Sequence, residues 1–225
     1  MTLSRDCLAV VIPAYNESST IFSVVERIKN LQTTVFVVDD GSVDSTGDLA
    51  SMAGAIVITH KNNMGYEAAL ETGIKKSIEE KFEYIVTFDA DDQMNIDDIL
   101  SCVSLAKSES LDLVVGVRSY YNRYSEYMLK LFGIVRFGLQ DPLCGMKLYR
   151  VSVLRNFLPF DSLQLVGMEA AFRIINSGYK FTQFNININK RKGVSRYGSS
   201  LKGEFFILKA LFKSIKFFGF FSKKI

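Results

Sequence analysis

Residues 84–93 read Tyr-Ile-Val-Thr-Phe-Asp-Ala-Asp-Asp-Gln. A short apolar run, rich in β-branched and aromatic residues, ends abruptly in acids. That is the pattern of a strand buried on both faces whose carboxyl end reaches solvent. The same transition occurs twice upstream. Leu8-Ala-Val-Val-Ile12 closes on Pro13 and leads to Tyr15, Asn16 and Glu17, and Val35-Phe-Val-Val38 leads to Asp39-Asp40-Gly41-Ser42. Ala55 to Ile58 and Leu111 to Val115 are two further runs of this kind. Between the runs lie stretches with helical spacing. Ile21, Val24, Val25 and Ile28 form one stripe, with Ser18 or Ser19 as the expected cap. Ala68, Ala69, Leu70, Ile74 and Ile78 form a second, and Ile96, Ile99, Leu100 and Val103 a third. Strands alternating with helices predict an α/β fold with a mainly parallel sheet and right-handed crossovers. Ligands of such sheets sit at the carboxyl ends of the strands. The clusters 13–17, 39–44 and 89–93 are therefore expected to meet at one edge. Beyond Arg118 the alternation is less regular.

The composition excludes several classes. With 225 residues, 48% hydrophobic and 23% charged, the chain is one large domain or two small ones, not disordered, collagenous or coiled-coil. Cys7, Cys102 and Cys144 are scattered and odd in number, and His60 is the only histidine. A Cys/His zinc site and a disulfide framework are excluded on that pattern, so a metal would be held by carboxylates and a reducing, cytoplasmic setting is expected. Neither a dinucleotide fingerprint nor a phosphate-binding Walker loop is present. His60 lacks a nucleophile elbow and reads as a surface or loop histidine. Arg5 and Asp6 interrupt the N-terminus before any apolar run, so no secretory signal is expected. No stretch reaches the roughly 20 apolar residues that span a bilayer, so none is expected to cross one.

Asp89, Asp91 and Asp92, with Gln93, place three carboxylates and an amide at a strand end. Hard divalent cations such as Mg²⁺ take oxygen ligands and bridge carboxylates to substrate phosphates, and packed like charges favour a cation between them. A solvated acidic turn leading into the next helix is the plainer alternative. Asp39-Asp40-Gly41-Ser42 likewise reads as a turn, or as a strand-end carboxylate able to bind a ribose hydroxyl or a base.

Taken together, Val11-Ile-Pro-Ala-Tyr-Asn-Glu17, Val37-Val-Asp-Asp-Gly-Ser42 with Asp44 and Thr46, Asn63-x-Gly65-x-x-x-Ala69-x-x-x-Gly73 and Asp89-Ala-Asp91-x-Gln93 resemble the family-2 inverting glycosyltransferases. Downstream, Gly116-Val-Arg118, Asp141-Pro-Leu-Cys-Gly145-Met-Lys147, Glu169 with Gly178-Tyr179, and Arg191-Lys-Gly193-Val-Ser195-Arg196 resemble the polyprenyl-phosphate branch that includes dolichol-phosphate mannose synthase. The resemblance implies a GT-A type, Rossmann-like three-layer sandwich over residues 1–198. It implies that Pro13, Tyr15, Glu17, Asp40, Asp89 and Ala90 contact a UDP- or GDP-linked sugar donor. Asp89, Asp91 and Gln93 would hold Mg²⁺ or Mn²⁺ on its diphosphate. Arg118, Arg123 and Lys147 would position a polyprenyl phosphate acceptor, and Arg191 and Arg196 would close over the diphosphate. A saccharide acceptor would instead need a base, for which Glu169 is the candidate. A helix-surface carboxylate paired with Arg173 is the other reading of that residue. A catalytically inert nucleotide-sugar-binding scaffold is a third, less favoured function.

The charge is unevenly spread. From Lys190 to Ile225 ten Lys/Arg stand against the single acid Glu204, whereas the remainder is net acidic. Lys202, Lys209, Lys213 and Lys216 recur near one helix face, with Phe205, Leu208, Leu211, Phe212 and Ile215 around the rest. Residues 199–225 thus read as a basic amphipathic helical tail. Contact with the inner face of an anionic membrane through 199–221 is expected. Packing on the body or a homo-oligomer contact are alternatives, and nucleic acid is not expected with an acidic body.

Overall fold

The computed structural model of the chain describes residues 7–121, 123–160, 165–189 and 200–220, with the side chains of Ser200 and Lys202 left out. The first half is a regular alternation: β1 (Leu8–Ala14), α1 (Ile21–Lys29), β2 (Thr34–Asp39), α2 (Thr46–Met52), β3 (Ile56–Thr59), α3 (Tyr66–Glu79), β4 (Tyr84–Thr87), α4 (Asp97–Ser108) and β5 (Leu113–Arg118). The second half runs α5 (Tyr124–Phe137), β6 (Lys147–Arg150), α6 (Val151–Leu154), α7 (Val166–Asn176), β7 (Phe181–Ile186) and α8 (Ser200–Phe218).

The strands form one sheet in the order β3-β2-β1-β4-β6-β5-β7. β6 is antiparallel to both its neighbours, pairing Thr87 with Lys147 and Val115 with Lys147, whereas the other pairings are parallel. The chain winds outward from β1 to β3 and then returns to β4 on the other side of β1. That reversal opens a crevice at the carboxyl ends of β1 and β4, where ligands of open α/β sheets bind.

All seven residues of β1 are buried, as expected for a central strand covered on both faces. Their period of two divides the core. Ala9 and Val11 join a cluster with residues of α3, α5, α7 and α8, while Leu8, Val10 and Ile12 join one with residues of α1 and α4. The result is the mainly parallel α/β sheet that the alternation predicts, in the three-layer sandwich that the resemblance implies. Two local readings differ. The N-cap of α1 is Thr20, not Ser18 or Ser19, and no side chain caps the helix. The Glu17 carbonyl accepts from Thr20 and Ile21 N–H, while Ser18 N–H is drawn to Asp44. On α4 Leu100 is exposed and Cys102 takes the buried place beside Ile99 and Val103.

The tail helix α8 lies against the body. Ile207, Ala210 and Leu211 join the core cluster that holds Leu129 and Phe132 of α5. Phe218 meets the rings of Phe137 and Phe172 edge-on at 5.2 and 5.8 Å. The tail thus takes the body-packing alternative along one face.

Candidate active site

The loops after β1 and β2 are stitched together before either reaches its helix. Asn16 N–H donates to Ser42 Oγ (3.0 Å), and Val43 N–H donates back to Asn16 Oδ1 (3.0 Å). Glu17 N–H donates to Thr46 Oγ1 (2.8 Å) and Ser18 N–H to Asp44 Oδ2 (3.3 Å). Partial burial works against the Asp44 charge, but hydrogen bonds from Thr46 and Ser18 outweigh it and hold its pKa below the usual value. Pro13 is buried within β1 and Tyr15 stands exposed just beyond it.

Asp40 has a structural task beside any ligand contact. Its buried carboxylate accepts from Met64 N–H (2.9 Å) and Gly65 N–H (2.7 Å) immediately before α3, where a helix N-terminus favours negative charge. His60 Nδ1 meets Asp40 Oδ1 at 2.7 Å and its Nε2 meets Thr72 Oγ1 at 3.0 Å. His60 is thus a loop residue, but not a surface one. It joins the second loop to the third helix.

Asp89 leaves β4 toward the crevice, and Tyr66, in the first turn of α3, donates its hydroxyl to Asp89 Oδ1 (3.0 Å). On the other side the chain at Gly145 comes so close that a Cβ there would lie 2.2 Å from Asp89 Oδ2. Only glycine allows that approach. Thr87 Oγ1 fixes the same loop by donating to the Gly145 carbonyl (2.6 Å). Ala90 is buried behind the turn. Asp91 Oδ1 accepts from Gln93 N–H (3.2 Å), and Asp92, at φ 60°, pairs with Arg27 of α1. Gln93 donates its side-chain amide to the Asn189 carbonyl (2.9 Å), and Asn189 N–H donates back to the Gln93 carbonyl (2.8 Å). Arg191 and Arg196 lie outside the described residues. Asn189, just before that segment, is tied to the acidic loop.

The carboxylates of Asp89 and Asp91 and the oxygen of the Gln93 amide are all oxygen donors, the type that suits Mg²⁺ or Mn²⁺. Among the described residues no three His, Cys, Asp or Glu side chains group as a complete metal cage. An ion held here would complete its shell from a phosphate ligand, the usual arrangement for Mg²⁺.

Next to the Tyr66 and Gly145 contacts of Asp89 opens a small cleft, whose walls include Tyr66, Glu67, Thr87, Gly145, Lys147 and Gly167. Lys147 is buried and donates its ammonium to the Cys144 carbonyl. Burial pulls its pKa down, against the opposing pull of Cys144, Asp141, Asp89 and Glu67. Glu67 Oε2 accepts from Val166 N–H (2.6 Å) at the start of α7, so the cleft's acid is anchored to its far wall.

Arg118 ends β5 at the same sheet edge. Its Nε and Nη2 donate to the two oxygens of buried Asp141 at 2.7 and 2.9 Å, and its backbone N–H adds a third bond at 3.1 Å. Burial opposes the Arg118 charge, but Asp141 outweighs it and raises the pKa further. Glu126 lies 3.4 Å from Arg118 Nη2 and 3.3 Å from Arg123 Nη1, which joins both cations in one network. Glu169 pairs with Arg173 at 2.5 Å, as one reading predicts, yet it is fully buried within α7 and not on the helix surface. It does not line the cleft, although its neighbours Gly167 and Met168 do. Tyr66, Glu67 and Glu126 escaped the sequence reading. Tyr66 had only its place after Gly65 to signal it, and Glu126 only its spacing from Arg123.

A solved structure of glucosyl-3-phosphoglycerate synthase from Mycobacterium tuberculosis, in complex with Mn²⁺, UDP and glucosyl-3-phosphoglycerate, matches 95% of this chain and 80% of its own with a TM-score of 0.73 at 19% identity. The fold is therefore GT-A. Residues 9–157 match the family described as Glycosyl transferase family 2, and the chain belongs to it. The Methanococcus voltae UDP-N-acetylglucosamine–dolichyl-phosphate N-acetylglucosaminyltransferase is 34% identical over 127 residues, 48% of this chain and 51% of that protein. The polyprenol monophosphomannose synthase of Mycolicibacterium smegmatis is 27% identical over 222 residues, 85% of this chain and 81% of that protein. The matches span about half the length of several curated relatives.

Proposed function

We propose that the chain transfers a hexosyl or N-acetylhexosaminyl unit, with inversion, from a UDP- or GDP-linked donor to polyprenyl phosphate at a membrane surface. The observation that carries this reading is the position of Asp89. It is held by Tyr66 and enclosed by Gly145 where the stitched loops converge, beside a cleft with a buried lysine in its wall. The activities of the Methanococcus and Mycolicibacterium relatives support the acceptor class.

Asp89, Asp91 and Gln93 would hold Mg²⁺ or Mn²⁺, which neutralises charge on the departing nucleoside diphosphate. The chain's own contribution is orientation. Tyr66 fixes the Asp89 carboxylate, and the loop pair at 13–17 and 39–46 offers Tyr15 and Glu17 to the nucleoside, while buried Asp40 holds the start of α3 beneath them. Ala90 and the cations Arg191 and Arg196 belong to the donor side. Lys147, Arg118 and Arg123 would position the acceptor phosphate, the two arginines while sharing their charge with Asp141 and Glu126. A phosphate acceptor is already anionic at neutral pH, so it needs positioning against like charge and no general base. The burial of Glu169 agrees with that economy.

The test is transfer of label from a panel of labelled nucleotide-sugars into the lipid fraction of membranes containing polyprenyl phosphate, with Mg²⁺. Asp91→Ala and chelation should each abolish it. No labelled lipid with any donor, or transfer undiminished in Asp91→Ala, would overturn the proposal. A Glu169→Gln variant that folds normally should retain turnover, and its selective loss would favour a saccharide acceptor instead.

A further inference from the structure

α5 is apolar on both sides. Leu129, Phe132 and Phe137 enter the core, yet Tyr124, Tyr127, Met128, Leu131, Ile134 and Val135 are exposed. Their spacings of three and four describe one continuous stripe along the helix. A helix apolar all round normally has a partner on every side. α8 shows the same habit, with Leu201, Phe205 and Phe212 exposed opposite its buried Ile207, Ala210 and Leu211. Tyr124 is 88% exposed, Leu131 58%, Phe205 72% and Phe212 69%.

The two helices lie side by side and run the same way, locked at both ends. Glu204, near the start of α8, accepts from Tyr124 and Ser125 N–H (3.1 and 2.9 Å) and so caps α5. Hydrogen bonding from Ser125, with a smaller contribution from Tyr124, holds the Glu204 pKa below its usual value. Arg136, near the end of α5, donates its Nε to the Phe218 carbonyl (3.0 Å) and Nη2 to Asn176 (2.7 Å). A single rigid unit therefore turns two apolar rows to solvent.

We infer that α5 and α8 together form one docking platform for an anionic lipid surface, with α5 supplying as much of it as the basic tail does. Charge selects the occupant. Exposed Lys209 and Lys216 stand among the α8 aromatics, and the segment from Lys190 onward carries ten basic residues against one acid. A two-fold contact between copies would set this patch against itself, lysine facing lysine, whereas anionic headgroups meet the lysines while the acyl boundary takes the apolar rows. Tyrosines at the edge of such a row suit the water–lipid boundary, since ring and hydroxyl prefer opposite sides of it. No described helix is long and apolar enough to cross a membrane, so the contact would be interfacial.

The platform deepens the membrane-surface element of the proposed function but is tested without donor or acceptor. The full chain is cosedimented with vesicles of phosphatidylcholine alone and of phosphatidylcholine with phosphatidylglycerol. Binding to the mixed vesicles and little to the neutral ones is expected, weakened at high salt. Leu131→Gln on α5 and Phe212→Gln on α8 should each weaken binding about tenfold, with unchanged thermal unfolding because both side chains are exposed. Wild-type binding by Leu131→Gln would remove α5 from the surface and overturn the inference. So would a lipid-free dimer that Leu131→Gln and Phe212→Gln both dissociate, in a chain that ignores vesicles. Transfer in detergent solution is read separately, so an active enzyme that fails to bind vesicles defeats the platform and leaves the proposed reaction standing.

Discussion

Replacing Asp141 with alanine leaves the Arg118 guanidinium without its main partner. Asp141 is 1% exposed and receives three hydrogen bonds from Arg118, whose own side chain is 20% exposed. Removing one partner of a buried pair costs about 3–5 kcal/mol, because the remaining charge stays desolvated. Glu126, 3.4 Å from Arg118 Nη2, retains part of the compensation, and the partial exposure of Arg118 retains some more. The expected loss is therefore at the lower bound, about 3 kcal/mol. For a chain of this size that is a fall of about 6–12 °C in melting temperature. Denaturant unfolding followed by circular dichroism measures it, and the midpoint should move without a change in slope. The double variant Arg118→Met with Asp141→Leu should recover most of the loss, since an apolar pair of similar bulk carries no desolvated charge. A single variant that loses less than about 1 kcal/mol, or a double variant no better than the single, would refute the argument that charge pairing drives the effect.

Gly73→Ala should cost about 1–3 kcal/mol in denaturant unfolding, because the added Cβ would lie 2.4 Å from Val11 Cγ1 where α3 rests on β1. Val11→Ala in the same chain should relieve part of it. One of UDP and GDP, with Mn²⁺, should raise the melting temperature of the wild type, a gain of about 2.7 kcal/mol at a hundredfold excess over Kd, and chelation should remove the gain. Gly145→Ala should lose it while remaining folded, because the new methyl meets Asp89; an undiminished shift would separate Asp89 from the ion. His60→Ala should speed amide hydrogen exchange at Met64 and Gly65, whose N–H groups rest on the carboxylate that His60 steadies. Thiol titration of the native chain at mildly alkaline pH should reveal Cys7 alone, with all three cysteines reacting after denaturation. Burial and the charge of Asp141 push the Cys144 thiol up to about 12, and burial raises that of Cys102 as well.

The first half of the fold was legible because each of its strands carries its own signal. β1, β2 and β4 are covered on both faces, so their apolar runs are continuous, and the acids begin where cover ends. β6 escaped because Lys-Leu-Tyr-Arg has only two apolar positions, and its insertion between β4 and β5 makes buried positions of residues that look exposed. β7 is an edge strand with polar alternation, which reads as loop. Within the site, the oxygen donors of 89–93 were evident from residue type alone, as was the convergence of the three loops, because strand direction dictates it.

Partnership was another matter. Sequence placed Asp40 at a strand end but could not show that two α3 amides and His60 would take its carboxylate. It paired Glu169 with Arg173 by helical spacing, yet could not show that the carboxylate is buried. It marked 199–221 as basic and amphipathic, while the outward stripe of α5 became visible only when the inner face of that helix was accounted for. The sequence by itself determined which segments become strands and helices and where carboxylates emerge, since those depend on near neighbours and on period. The tertiary structure alone decided which charges are paired, which apolar faces are left uncovered and which tyrosine steadies Asp89, since those depend on residues tens of positions apart brought together by chain reversal.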